Sequence, residues 1–216
     1  MNRYLLIALF SFFSFTLIAQ EKNNFQNYLN HYKEVQLPYE ICLDSVWSIF
    51  PHNSISSEYI HKYICEPDKA CDDSGDYNYT YGVRIKLEQF IVLITSKFCY
   101  DCPTEYGLGK VEYLLSVYTP EGQKKSQVII LQRSFQHFCY VTFENGPNSH
   151  SLLSILIKQG TLNESLDKEY NILQGILDYY AYTIDQKGCI RKEKTKSRNI
   201  RVKWGARQIT ILKEWE

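Results

Sequence analysis

Val111-Glu112-Tyr113-Leu114-Leu115-Ser116-Val117 is the stretch that decides the fold, together with the Pro120-Glu121-Gly122 that follows and the apolar run Val128 to Leu131 beyond it. Val111, Tyr113, Leu115 and Val117 recur at every second position with Glu112 and Ser116 between them, the period of a strand with one buried face. Pro120-Glu121-Gly122 reads as a turn, because proline presets its own φ and glycine accepts conformations that other residues avoid. Strand, turn and strand make a hairpin.

The same sentence is repeated downstream. Phe138 to Phe143 and Leu152 to Ile157 flank Asn145-Gly146-Pro147-Asn148, a loop composition, and predict a second hairpin. Tyr180, Tyr182 and Ile184 alternate up to Asp185-Gln186-Lys187-Gly188, and the chain continues through Ile190 as a third. Ile200, Val202 and Trp204 alternate with Arg201 and Lys203 until Gly205 breaks the run before Ile209 to Leu212. Gln89 to Thr95 is apolar almost throughout, which predicts a central strand buried on both faces. Between Leu162 and Ile176 the pattern changes: Leu162, Leu166, Tyr170, Leu173 and Leu177 fit a helix interrupting the strands, with Gly175 weakening its end.

Upstream, two short amphipathic helices are expected. Phe25, Tyr28, Leu29 and Tyr32 lie on one helical face, with Pro38 as the stop. Tyr59, Ile60, Tyr63 and Ile64 have the same spacing, with Ser56 or Ser57 as N-cap and Pro67 beyond the end. Such helices cover a sheet and cannot make a core alone. The expected class is therefore α+β, mainly β: a twisted antiparallel sheet, a meander of hairpins, with the N-terminal helices packed on it. A β-sandwich or open barrel is the alternative closure.

Composition narrows the function. Twenty-four Lys+Arg balance 24 Asp+Glu among 216 residues, so a polybasic nucleic-acid protein is excluded as an overall class. Met1 to Arg3 carry one positive charge and Tyr4 to Ile18 carry none, the pattern of a secretory signal; the run is short for a membrane span and ends at Ala19-Gln20-Glu21-Lys22. The ending Ile18-Ala19-Gln20 resembles signal ends common in exported bacterial proteins, a resemblance that covers about twenty residues and implies no function. The expected organisation is residues 1–19 as signal and 20–216 as one exported domain. It would be periplasmic or extracellular, without stable membrane insertion after cleavage; Leu17, where a smaller residue is usual, leaves a retained anchor as the alternative.

Export bears on the seven cysteines, Cys42, Cys65, Cys71, Cys99, Cys102, Cys139 and Cys189, because thiols this numerous are often oxidised outside the cytosol. Cys65 and Cys71 bracket a polar loop that a disulfide could close, Cys99 and Cys102 bracket Tyr100-Asp101, and an odd number leaves one thiol over. A thiol-disulfide oxidoreductase using Cys99 and Cys102 needs a helix N-terminus to stabilise the attacking thiolate; Pro103, Gly107, Gly109 and a strand pattern follow instead, so a loop staple is favoured. A zinc site from Cys65, Cys71, Cys99 and Cys102 is disfavoured by the wide first spacing and by export.

Other constellations fall short of chemistry. The acidic stretch Glu66 to Asp76 misses the oxygen-ligand register of a calcium loop. No G-x-S-x-G elbow, H-E-x-x-H pair or phosphate loop is present, so no catalytic residue, metal ligand or cofactor is assigned. Two surfaces remain as contact candidates: the alternating Tyr77, Tyr79 and Tyr81, and the basic run Lys187 to Lys203 with Arg191, Lys192, Arg201 and the adjacent Trp204. Aromatic core packing is the plainer explanation of the first, and a basic solvent face that resists edge-to-edge pairing that of the second. The functional expectation is a non-enzymatic binding or interaction protein of the cell envelope, meeting a protein or glycan rather than nucleic acid. An immunity or inhibitor protein that caps a toxin or enzyme is the first alternative, and the oxidoreductase the second.

Overall fold

The computed structural model describes residues 21–42, 54–65, 77–104, 107–133, 137–147, 150–167, 172–204 and 209–216. The expected signal, Cys71 and the acidic loop lie outside them. Helix α1 covers residues 21–29. Strands β1 (Lys33–Val35) and β2 (Tyr39–Cys42) follow, then a single α-turn α2 (Ser57–Tyr59) that continues as a π-helix (Ile60–Ile64). The rest is strand: β3 (Tyr77–Lys86), β4 (Ile91–Thr104), β5 (Gly107–Tyr118), β6 (Lys124–Arg133), β7 (His137–Asn145), β8 (Ser151–Asp167), β9 (Ile172–Asp185), β10 (Ile190–Trp204) and β11 (Ile209–Trp215).

These strands form two curled sheets that make a half-barrel. One has the order β1-β3-β4-β5-β6, the other β11-β10-β9-β8-β7-β2. Pairing is antiparallel except between β1 and β3. The expected meander thus holds from β3 to β6 and again from β7 to β11, divided over two sheets as the sandwich or barrel alternative requires.

The first sheet is buried on both faces. Val92 and Ile94 of β4 point inward with Tyr113, Leu115 and Val117 of β5, and they pack against Phe143, Ile155, Ile157, Tyr182 and Ile184 of the second sheet. Leu93 of β4 and Leu114 and Tyr118 of β5 point the other way and are covered by Phe25, Tyr28 and Leu29 of α1, by Tyr32 just beyond it, and by Tyr63 and Ile64 of the π-helix. That accounts for the unbroken apolar run at β4, the middle strand of this sheet. Gly122 ends the β5–β6 turn at φ 92°, and a Cβ there would sit 2.6 Å from the ring of Phe25, so the turn and the helix are fitted to one another.

Two sequence expectations need correction, and one alternative is decided. Helix α1 stops at residue 29, well before Pro38, because Lys33–Val35 is drawn into β1 beside β3. The Arg84 Nη1 donates to the Leu29 carbonyl at 3.1 Å and satisfies the end of the helix. Ser56, rather than Ser57, is the N-cap of α2: its Oγ accepts from the Tyr59 amide at 3.5 Å. The segment from Leu162 to Ile176 is not helical wherever it is described; β8 runs through Asp167 and β9 begins at Ile172. A spacing of four places side chains on one face of a strand as surely as on one face of a helix, so Leu173 and Leu177 fit both periods. Tyr170 lies outside the described residues.

The second sheet changes its buried face partway along. On β9, Tyr182 and Ile184 face the first sheet and are buried, while further back Leu177, on the opposite face, is the buried residue and Ile176 is 41% exposed. Leu162, Leu177, Ile200 and Val202 form a separate small core on that opposite face. The change is matched on β10 by a bulge: Lys194 pairs with Tyr180 and Lys196 with Tyr179, leaving Thr195 as the extra residue.

Candidate functional site

The tyrosine row does not offer an open surface. Tyr79 and Tyr81 are 7% and 4% exposed beneath α1, and Tyr81 stacks with His31 at 4.8 Å and meets Tyr32 edge-on at 5.1 Å. Tyr28 and Tyr63 stack at 4.7 Å beside Phe25 and Tyr118. Here the contact reading is corrected at Tyr79 and Tyr81: the helix needs an aromatic bed and these rings supply it. Burial holds the Tyr63 and Tyr81 hydroxyls protonated up to about 12 and pushes Tyr28, Tyr32 and Tyr118 further up. Two polar links cross the bed: Tyr28 Oη to Tyr32 Oη at 2.6 Å, and Tyr32 Oη to Thr95 Oγ1 at 2.8 Å. Tyr77 stands at the margin, half-buried, with the Lys97 ammonium 3.7 Å from its ring centre.

Cys99 and Cys102 are joined by a disulfide. They sit inside β4 at a bulge, between the pairs Cys99 with Lys110 and Pro103 with Leu108, and β4 continues as strand to Thr104. A zinc site using these two thiolates is thereby overturned, since bridged sulfurs carry no thiolate for a metal. No helix follows the pair within β4 to lower a thiol pKa, and Cys99 is fully buried. Cys65 is also disulfide-bonded. Beside the bridge, Glu112 is buried and accepts from Lys110 at 2.7 Å, with Lys97 at 3.9 Å; the Glu112 hydrogen bond raises the Lys110 pKa. These groups bind one another. Among the described residues no three His, Cys, Asp or Glu side chains come together.

The basic run is split by the Thr195 bulge. Before it, Arg191 pairs with Thr183 on the outer face and Lys192 with Tyr182 on the inner face, the one turned toward the first sheet. After it, Lys196 is outer and Arg201, paired with Gln174, is inner. Arg191 and Lys192 therefore belong to different surfaces. The side chain of Trp204, at the end of β10, lies outside the description. On the outer face Lys196 lies 4.3 Å and Lys158 6.0 Å from the ring centre of Tyr179, whose hydroxyl donates to Glu214 at 2.8 Å. Burial, with that bond second, raises the Tyr179 hydroxyl to about 12. On the inner face Lys192 lies 4.5 Å from the ring centre of Tyr180.

The distal half of the inner face extends past the core shared with the first sheet and is open. Register sets Asn199 between Ile176 and Trp215, and Arg201 between Gln174 and Lys213, with Lys203 two positions on. Asn199, Arg201, Lys203 and Lys213 are all exposed. Lys213 lies 5.8 Å from the Trp215 ring centre. Asp178, on the proximal side, accepts from Ser197 Oγ at 2.5 Å. Lys213, Trp215 and Ile176 escaped the sequence reading because only the register of β11 on β10 on β9 gathers them. A second concavity of about 570 Å³ opens where β1 crosses toward β2, with Val35, Leu37, Leu87 and Leu152 among its lining and Glu34, Lys86 and Glu88 at its polar positions. The Glu34 carboxylate there already pairs with Arg84 at 2.7 Å.

No helix among the described residues is long and apolar enough to cross a membrane. Protein-family models, curated proteins and solved structures give no match to this chain.

Proposed function

We propose that this chain is a non-catalytic binding protein of the cell envelope, exported by its first nineteen residues, that meets its partner with the distal inner face of β9, β10 and β11. The observation that carries the reading is the gathering of Arg201, Lys203 and Lys213 on one exposed strip beside Trp215 and Ile176. Several other candidate groups are spent internally: Glu112 on Lys110, Tyr79 and Tyr81 under α1, the cysteines of β4 on each other. A rigid sheet that leaves cations and an indole exposed is suited to recognition, where a preorganised surface loses little freedom on binding.

The test is retention of the purified mature protein by isolated envelopes of the producing cell, followed by co-sedimentation. The wild-type chain is expected in the pellet at low salt and released as salt rises. R201E/K213E is expected in the supernatant at every salt concentration. Equal retention of the two proteins would remove this face from the function, and quantitative recovery of untagged protein from the cytosol with residues 1–19 attached would remove the envelope.

A further inference from the structure

We infer that the distal strip takes an acidic polysaccharide, a glycan chain bearing uronic-acid carboxylates; this rests on the proposal that the distal inner face is the contact surface. Arg201 presents a planar fork that matches a carboxylate with two parallel hydrogen bonds, and Lys213 is its direct neighbour across the β10–β11 ladder. Lys203 stands on the same side of β10, one side-chain repeat along, roughly 7 Å away by strand rise. The cations therefore form a line rather than a point.

The neutral groups of the strip point to sugar. Asn199 and Gln174 are amides, which donate and accept together and so match the vicinal hydroxyls of a pyranose. Trp215, half-exposed, offers part of an indole to the C–H face of a ring. An acidic protein segment is served less well. The backbone groups of β9 and β10 are occupied by ladders on both sides, a strand added at the edge of β11 would lie beside the cations of β10 rather than across them, and Ile176 with Trp215 is too small an apolar area to anchor a peptide. A single-stranded nucleic acid would need several stacking rings where this strip has one.

The experiment is calorimetric titration of the mature protein with polygalacturonate, neutral dextran and poly-glutamate, at low and at raised salt. Polygalacturonate is expected to bind at low salt and dextran not at all, with poly-glutamate about tenfold or more weaker than polygalacturonate. R201Q and K213Q are each expected to weaken polygalacturonate binding about tenfold, the loss of one charge-assisted bond. W215A should weaken polygalacturonate but leave poly-glutamate unchanged, since only the sugar uses the indole. Arg201 and Lys213 are exposed and Trp215 half-exposed, so melting temperature serves as the folding control for each variant. Equal binding of polygalacturonate and poly-glutamate, or indifference to W215A, overturns the glycan in favour of any anionic polymer. If polygalacturonate does not bind while R201E/K213E still abolishes envelope retention, the ligand class is wrong and the contact surface stands; if neither assay responds, both are wrong.

Discussion

Tyr32 occupies the middle of a buried hydroxyl chain, bonded to Tyr28 at 2.6 Å and to Thr95 at 2.8 Å. Tyr32→Phe removes the shared partner and strands two buried oxygens in an aromatic bed, so a loss of about 1–3 kcal/mol is expected. Tyr63, a few ångströms away in the same bed, is the internal control. Its ring is as well packed, but its hydroxyl is buried without a hydrogen-bond partner among the described residues. Tyr63→Phe removes a desolvated group that gains nothing, and is expected to leave stability within about 0.5 kcal/mol or to raise it. Urea midpoints for the two variants measure the difference; an equal loss in both would show that ring packing rather than the hydroxyl chain controls this cluster. Alternation in the sequence disclosed that Tyr79 and Tyr81 share a face. Which face it would be depended on where α1 docked, far upstream in the sequence, and no local pattern encodes that.

Among the elements, β10 carries the largest consequence for one residue. With Thr195 inserted opposite the Tyr179–Tyr180 step, Ile200 and Val202 fall on the face that holds the small distal core, and both are fully buried. Deleting Thr195 removes the extra residue and turns every later side chain of β10 over. Burial of an Ile or Val side chain is worth about 1.5–3 kcal/mol, so losing both sites costs several kcal/mol. Amide exchange should then show β10 and β11 stripped of protection while β3 to β5 keep theirs, and Thr195→Ser, which preserves the residue count, should behave as wild type. The elements themselves were largely legible: the β5–β6, β7–β8 and β9–β10 hairpins fall where alternation and turn residues placed them. What could not be read was phase. A bulge leaves composition untouched while exchanging the faces: alternation alone separates Arg191 from Lys192 and would place Arg201 with Arg191, and the extra Thr195 puts it on the face of Lys192 instead. Strands β1 and β2 were invisible for a different reason, since three or four residues are too few to display a period.

For the molecule as a whole, the concentration of buried tyrosine gives it a weak side toward alkali. A tyrosine in the unfolded chain ionises near 10.0; burial lifts Tyr63, Tyr81 and Tyr182 to about 12 and lifts Tyr28, Tyr32 and Tyr118 further. The direction of the effect follows from proton counting. Below pH 10 both states hold these protons, and the stabilisation is fully present. Between pH 10 and 12 the unfolded chain releases them and the folded chain does not, so stability falls as pH rises, by about 1.4 kcal/mol per pH unit for each tyrosine ionised only on unfolding. Several such residues acting together exhaust the roughly 5–15 kcal/mol that a domain possesses within one or two pH units. The expected outcome is a single cooperative step above pH 10, in which tyrosinate absorbance rises together with the loss of the β-sheet circular dichroism signal. The half-buried carboxylate of Asp185 is held below its usual range by the Cys189 and Lys187 amides and acts in the opposite sense, losing its contribution only as the solution becomes acidic. A gradual ionisation of all the tyrosines with the sheet signal intact would mean that solvent reaches the aromatic bed without unfolding. Helix α1 would then be a cover that opens rather than a fixed layer of the fold.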